Sequence, residues 1–265
     1  MQYIKNWFGA VALLPLTAFS QVQAEILPAL ISPEKKNLLK ENIECRIQAQ
    51  FSIGGSTPLG LPREIREISS YNPNLQAGLE ASVTIWPETQ GPIGWRFALA
   101  VEGKGMRTSA LVKNYLTGII QDSAEIKGYF TGEVETAISN TYLTIPVLAV
   151  YDFSPDWNFY AGLYGSAAIA KSFTGYVSRG YLRQDTPAGA KISFDNGGRA
   201  VYDFSQEVRT FHFGNRFGSE YYINRNFIVF SDFTFGLNGI LKSSFKSISF
   251  NLHNLYLNSG FGYKF

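Results

Sequence analysis

The final segment of the chain, residues 247–265, alternates between apolar and polar or small side chains. Leu255, Leu257, Phe261, Tyr263 and Phe265 occupy one parity, whereas Asn, Tyr, Gly and Lys occupy the other. A period of two residues is that of a β-strand with one apolar and one polar face. The segment is therefore predicted to be a strand whose two faces meet different surroundings, and it ends on an aromatic residue.

The same alternation recurs along the chain. It predicts seven earlier strands, at about 43–53, 75–86, 95–115, 130–153, 158–176, 204–222 and 227–237. The intervening segments alternate in length, and the long ones are 54–74, 116–129 and 177–203. Outer-membrane barrels show this asymmetry, because their periplasmic turns are short and their extracellular loops are long. The predicted fold is all-β, an eight-stranded antiparallel up-and-down transmembrane β-barrel.

Pro146 lies within the fourth predicted strand. Proline has no backbone N–H to donate to a neighbouring strand. A bulge or a local loss of pairing is therefore expected there.

The N-terminus reads as an export signal. Lys5 is followed by an apolar run from Phe8 to Leu16 and by the small-x-small sequence Val22–Ala24, so residues 1–24 are predicted to be a signal peptide. Its apolar run is too short to span a bilayer. Residues 25–42 are predicted to be a polar periplasmic lead-in and residues 43–265 the barrel. The mature protein is expected in the outer membrane, in contact with lipid.

The amino-acid composition limits the fold classes, partners and metal sites that the chain can have. The 265 residues include 15% aromatic residues and 25 glycines, which favours β structure. The net charge of +2 gives no support for a nucleic-acid partner. A single cysteine, Cys45, excludes an intrachain disulfide and a cysteine-based zinc site.

If the apolar faces meet lipid, the opposite faces collect charged residues in the lumen. Five are acidic and five basic: Glu44, Arg46, Glu80, Arg96, Glu102, Lys104, Arg216, Glu220, Asp232 and Lys264. An eight-stranded barrel is just wide enough for its side chains to fill, and unpaired buried charge is costly. A plugged interior with paired charges is predicted. The alternative is a narrow channel or transporter whose path is lined by Arg96, Arg216 and Lys264.

An enzyme is not predicted. The chain has two histidines, His212 and His253, and lacks the Gly-x-Ser-x-Gly, HExxH and P-loop motifs. We therefore expect no catalytic residue, no cofactor and no metal site.

The longest loop prediction carries a mixture of tyrosine and arginine. The candidate recognition residues are Tyr176, Arg179, Tyr181, Arg183 and Tyr202. Tyrosine and arginine are enriched in interfaces, and loops on rigid scaffolds commonly carry recognition. The alternative is a set of solvated loops that pack on one another.

Several motifs resemble those of the PorT-like outer-membrane β-barrel proteins of Bacteroidota. They are Glu102–Thr108 (similar to a KGxKT signature), Tyr142–Leu148 with its proline, Phe233–Phe245 and Gly260–Phe265. The resemblance implies a barrel inserted by the outer-membrane assembly machinery, which reads terminal aromatics, here Phe261, Tyr263 and Phe265. It implies no activity, and it leaves open whether an envelope protein or a ligand is the partner.

Overall fold

The computed structural model describes residues 42–87, 91–121, 124–194, 198–245, 247–248 and 250–265. The predicted signal peptide, and the lead-in up to residue 41, lie outside these residues. The strands are β1 (Ile43–Pro58), β2 (Ile65–Asn72), β3 (Gln76–Ile85), β4 (Ile93–Gln121), β5 (Ala124–Ser154), β6 (Trp157–Ala170), β7 (Phe173–Gln184), β8 (Lys191–Ser193), β9 (Arg199–Asp203), β10 (Phe211–Tyr222), β11 (Phe227–Gly236) and β12 (Leu252–Lys264). A 3₁₀ turn covers Ser205–Glu207. Over the described ranges, no helix has the length and apolar character needed to cross a membrane.

Eight of these strands form a closed ring. The order around it is β1, β3, β4, β5, β6, β10, β11 and β12, and β12 pairs with β1 from Arg46–Lys264 to Pro58–Leu252. Each ring strand follows its predecessor around the circle, so the topology is up-and-down. The predicted eight-stranded barrel is confirmed. We call the end with the tight turns at 155–156 and 223–226 the short-turn end, and the opposite end the long-loop end.

The outside of the ring is apolar. Side chains such as Leu99, Ile145, Leu163, Phe213 and Phe261 are each more than half exposed. Their strand neighbours point inward and are buried, in the alternation that the sequence predicts. Exposed apolar residues around a closed barrel form the lipid-facing band of a transmembrane barrel.

Beyond this band the sheet continues. Strands β4 and β5, of 29 and 31 residues, stay paired from Lys104–Asn140 to Gln121–Ala124. Strand β2 adds to the outer part of β4, and β7 adds to the outer part of β5. Strands β8 and β9 pair with β7. We call β2, β7, β8, β9 and the outer halves of β4 and β5 the sheet extension.

The sheet extension corrects three loop predictions. Much of 54–74, 116–129 and 177–203 is strand, although all three were read as loops. The predicted strand 158–176 is two strands, because β6 ends at Ala170 and β7 then pairs with a different part of β5.

The two strands that follow this region start later than predicted. Residues 204–210 hold the 3₁₀ turn and a bridge from buried Val208 to Leu241, so β10 begins at Phe211. The terminal strand begins at Leu252 rather than at 247.

Pro146 keeps its register. It pairs with Tyr164 on β6, and the β4–β5 ladder has the same register at Phe97–Val147 and Ala100–Thr144. The ladder skips the two positions in between, Ala98 and Leu99, which lie opposite Pro146 and Ile145. Of the two predicted accommodations, a local loss of pairing is the one found.

The interior has two zones. Charged and polar side chains fill the part surrounded by the lipid-facing band, whereas an apolar cluster that includes Met106, Val112, Phe130, Val134 and Ile138 fills the long-loop end. A polar inward face was predicted along whole strands. It ends near Met106, where the strands leave the band.

Candidate functional site

The ten charged residues assigned to the lumen all lie on the ring strands. Eight are at most 5% exposed, while Glu44 and Lys264 are partly exposed at the short-turn end. We call these ten residues the charged layer. Their side chains form three groups, which surround Glu220, Arg216 and Lys104 respectively.

The first group surrounds Glu220. The Arg46 Nη1 atom donates to both carboxylate oxygens at 2.7 Å. Arg96 donates to the same oxygens from Nη1 at 2.9 Å and from Nη2 at 2.8 Å. Arg46 also pairs with Glu44, and Arg96 Nε donates to Thr84 Oγ1 at 3.0 Å. A fully buried carboxylate is thus held between two guanidinium groups.

The second group surrounds Arg216. Its Nη2 lies 2.8 Å from Asp232 Oδ2, and its Nη1 lies 2.5 Å from Glu80 Oε2. Tyr160 donates to the same Asp232 oxygen at 3.0 Å. The Tyr160 ring also lies between the groups, 5.1 Å from the Arg96 guanidinium carbon and 5.9 Å from that of Arg216.

The third group closes the layer on the side of the long-loop end. Lys104 Nζ lies 3.0 Å from Glu102 Oε1 and faces the rings of Tyr164 at 5.1 Å, Tyr256 at 5.6 Å and Tyr142 at 5.8 Å. Cation–π contacts of this kind stabilise an ammonium group that has lost its water. Three aromatic rings and an ion pair therefore cover the charged layer where it meets the apolar interior.

The pairing limits what the layer can do chemically. Each of its five carboxylates contacts at least one of its five cations. Arg96, Arg216 and Lys264, which the channel alternative would place along a path, pair with Glu220, with Glu80 and Asp232, and with Glu44. An ion moving through this layer would have to break buried pairs, which is expensive in a low-dielectric interior.

The candidate recognition residues separate into two sets. Tyr176, Arg179, Tyr181 and Arg183 lie on β7 in the sheet extension and are at least partly exposed. Tyr202 is only 3% exposed, and its hydroxyl bonds Thr136 Oγ1 at 2.7 Å and the Glu135 carbonyl at 2.9 Å. Burial raises the pKa of Tyr202 well above its ordinary value near 10.0. The assignment of Tyr202 to a recognition surface is corrected, since its ring is part of the core.

In the structure, two further cations lie beside the exposed candidate recognition residues. The Arg199 guanidinium lies 4.6 Å from the centre of the Tyr176 ring, and Lys191 Nζ lies 4.7 Å from that of Tyr181. Arg183 lies 5.7 Å from the same Tyr181 ring, on a strand that pairs with β8. We call the exposed set the Tyr/Arg surface: Tyr176, Arg179, Tyr181, Arg183, Lys191 and Arg199.

A bulge brings this surface together. Between Thr131 and Glu133 of β5, strand β7 carries one extra residue, and Arg179 there has a positive φ of 48°. Before the bulge, the outward-facing residues of β7 have even numbers, as at Tyr176. After it they have odd numbers, as at Tyr181 and Arg183, because the extra residue reverses the alternation. Reasoning at a fixed period of two could not place Lys191 and Arg199, because hairpin pairing rather than sequence spacing sets their position.

The two histidines bond to backbone carbonyls. The His212 Nε2 atom lies 2.9 Å from the Arg209 carbonyl inside the barrel, and the His253 Nδ1 atom lies 2.9 Å from the Gly236 carbonyl. The first contact ties β10 to the segment that precedes it, and the second joins β12 to β11.

The terminal aromatics lie on the outside of the barrel at the short-turn end. Phe261, Tyr263 and Phe265 are 62%, 39% and 52% exposed. The Tyr263 ring packs against Phe227 at 5.3 Å and Phe265 at 5.1 Å. They form an exposed aromatic row along the end of β12 and the residue that follows it, next to β1.

Comparison with known proteins gives a family match. The family model described as "Outer membrane protein beta-barrel domain" matches residues 32–242. No curated protein was found to match the chain. Among solved structures, Ail of Yersinia pestis shares 10% identity over 84% of this chain and 98% of its own, with a TM-score of 0.35.

Two further solved structures cover the same share of this chain. Neisserial surface protein A shares 15% identity over 84% of this chain and 97% of its own, with a TM-score of 0.35. OprG from Pseudomonas aeruginosa shares 11% identity over 84% and 95%, also with a TM-score of 0.35.

Proposed function

The chain belongs to the outer-membrane protein β-barrel domain family, and from this premise we propose that it is a closed, non-enzymatic barrel that binds a partner through the Tyr/Arg surface. Barrels of the outer membrane place short turns in the periplasm and long loops outside the cell. The short-turn end then faces the periplasm, and the sheet extension projects outward. Export by the signal peptide 1–24, insertion guided by Phe261, Tyr263 and Phe265, and a PorT-like affiliation are part of the proposal.

The pairing in the charged layer carries this proposal. Glu220, Arg216 and Lys104 each sit in a buried ion pair, and together the three groups cross the lumen. Buried ion pairs across the lumen of an eight-stranded barrel oppose the passage of a solute, so a channel or transporter is the weaker alternative. The sheet extension carries exposed cations that lie beside tyrosine rings.

The charges of the Tyr/Arg surface specify the partner's chemistry. Arg179, Arg183, Lys191 and Arg199 supply four cations. The neighbouring acids include Glu133, which pairs with Arg179, and Glu135, which accepts a bond from Tyr176 at 2.6 Å, together with the exposed Asp185 and Asp203 at the ends of β7 and β9. The four cations beside two tyrosine rings favour an anionic partner with carboxylate, sulfate or phosphate groups. An envelope protein or a glycan can carry such groups. A nucleic acid is not expected, given the net charge of +2.

Binding to a polyanion tests the proposal. The mature protein in lipid nanodiscs is titrated with dextran sulfate, and the double variant Arg183→Glu/Lys191→Glu is compared with it. The matched control is Arg63→Glu/Lys113→Glu, which reverses two exposed charges near β2 and β4. We expect at least about a tenfold loss of affinity, or 1.4 kcal/mol, for the first variant and little change for the control.

Two results would contradict the proposal. Equal losses in both variants would show a general charge effect rather than recognition by the Tyr/Arg surface. A steady, ion-selective conductance of the wild-type protein in planar bilayers would show that the charged layer is not closed and would favour the channel alternative.

A further inference from the structure

An apolar cavity of about 350 Å³ lies above the charged layer. Its walls come from the end of β1, from β2, from the outer half of β4 and from Ile248, Phe250 and Leu252. Met106 lies at its base, where its Sδ accepts the backbone N–H of Ser56 at 3.3 Å. The Lys104 group lies two residues further along β4, toward the short-turn end. The cavity is therefore closed on the periplasmic side by the charged layer.

The lining is suited to hydrocarbon. Ile65 and Ile68 of β2 face it across the ladder from Val112 and Ala110 of β4, and Leu252 closes the opposite side. A few hydroxyl groups, such as those of Tyr71 and Thr108, are the polar exceptions. Among the described residues that line the cavity, none carries a charge. Pockets of this size and character are typical small-molecule sites, and a charged group would lose its hydration here without a counter-ion.

The cavity opens on the side of β2. Leu61, Ile68 and Tyr71 line it and are 64%, 54% and 51% exposed. Between β2 and β1 the wall of the cavity is formed by the Tyr71 side chain of β2, which packs against Gly55 of β1. The contact is so close that a Cβ placed on Gly55 would lie 2.6 Å from the Tyr71 hydroxyl oxygen. The aromatic ring of Tyr71 thus leans against bare backbone at the edge of the opening.

The opening lies at the outer rim of the lipid-facing band. On β4 the band's last large apolar residue is Val101, while Arg107, outward at the level of the opening, has a 62% exposed side chain. Leu59 and Leu75, at 60% and 65% exposure, flank β2 at the same end of the barrel. A route from the outer leaflet into the cavity is therefore lined by apolar side chains.

We propose that this cavity binds an uncharged hydrocarbon group, either a free apolar solute or the acyl chain of an outer-leaflet lipid. Binding rather than passage follows from the geometry, because the charged layer blocks the way to the periplasm. This site is separate from the Tyr/Arg surface and does not depend on that surface binding a partner.

Photo-crosslinking distinguishes the two sources. The protein in vesicles is irradiated either with a diazirine-bearing decanol or with a phospholipid that carries the diazirine in its acyl chain, and labelled peptides are mapped by mass spectrometry. We expect the decanol to label Ile65–Tyr71 and Met106–Val112, and excess unlabelled decanol to suppress this labelling. Labelling of the same residues by the phospholipid identifies an acyl chain as an occupant, whereas phospholipid labelling confined to the outer band identifies the free solute.

Two variants test the cavity itself. Ala110→Phe fills it, and Ile68→Asn makes its mouth polar at a position whose 54% exposure makes a folding defect small. The control is Val201→Asn on β9, which is 56% exposed and lies away from the lining. Loss of decanol labelling in Ile68→Asn and Ala110→Phe, with retention in Val201→Asn, supports the site. Labelling of the outer band alone, or equal labelling of the wild type and a folded Ile68→Asn variant, overturns it.

Discussion

Neutralising Glu220 is the most direct perturbation of the charged layer. The substitution Glu220→Gln keeps the side-chain shape but removes the charge and replaces one acceptor oxygen with an NH₂ donor. Wild-type Glu220 accepts four hydrogen bonds of 2.7–2.9 Å from Arg46 and Arg96 and is fully buried. In the variant, the new donor faces guanidinium donors. Arg46 keeps Glu44, whereas the contacts that Arg96 keeps among the described residues are with the neutral Thr84 and Tyr160.

The expected cost follows from this loss of pairing. Removing one partner of a buried ion pair destabilises proteins by about 3–5 kcal/mol, because the other charge stays buried without compensation. The matched control is Glu207→Gln. Its partner Lys242 lies 3.9 Å away, and the two side chains are 35% and 45% exposed. An exposed pair contributes at most about 1 kcal/mol.

Urea unfolding in lipid vesicles, followed by tryptophan fluorescence, measures both changes. The free energy of unfolding should fall by about 3–5 kcal/mol for Glu220→Gln and by less than about 1 kcal/mol for Glu207→Gln. Adding Arg96→Met to Glu220→Gln should recover part of the loss, since it removes the stranded guanidinium group. Equal losses in the two single variants, or a further loss in the double variant, would refute the electrostatic account of the layer.

Two further substitutions, the first with a matched control, test the packing of the barrel wall and a buried hydroxyl group in the sheet extension. Gly260→Ala should cost about 1–3 kcal/mol in the same unfolding assay, because its Cβ would lie 2.0 Å from the Ala49 carbonyl oxygen, while Gly165→Ala, with no atom within 4 Å of its Cβ, should cost nothing. Tyr202→Phe should cost about 1–2 kcal/mol by removing the bonds to Thr136 and the Glu135 carbonyl. Since the pKa of Tyr202 is raised in the fold, its contribution is complete below pH 10.0 and is lost as the pH rises further, so Tyr202→Phe should lose less stability in alkali than the wild type.

The barrel ring could be predicted from the sequence because lipid enforces a simple rule there. Leu99 and Val101 face outward while Ala100 and Glu102 face inward, so apolarity alternates residue by residue. The inward parity also identifies the charged layer. The pairing within it could not be predicted, because Arg46 and Glu220 are 174 positions apart and meet only when the ring closes with its particular register.

The sheet extension could not be predicted from the sequence because the alternation of apolar and polar side chains is reversed where the strands leave the lipid. Within the band the outward residue is apolar and the inward residue polar, as at Val101 and Glu102. Beyond it the outward residue is Arg107 and the inward residue is Met106. In a strand that crosses this boundary, the apolar residues do not stay on one face. The bulge at Arg179 disrupts the alternation of β7 further.

That reversal also accounts for the apolar cavity. Water outside the extension requires polar residues such as Arg107 to face outward, so the apolar residues of these strands must turn inward to form a core. The space inside the barrel wall is filled only where enough side chains point into it, and elsewhere a cavity remains. Along β2 the wall is thin, since Ile68 and Tyr71 remain half exposed while lining the interior. The charged layer and the apolar cavity are therefore two consequences of one sequence pattern passing from lipid into water.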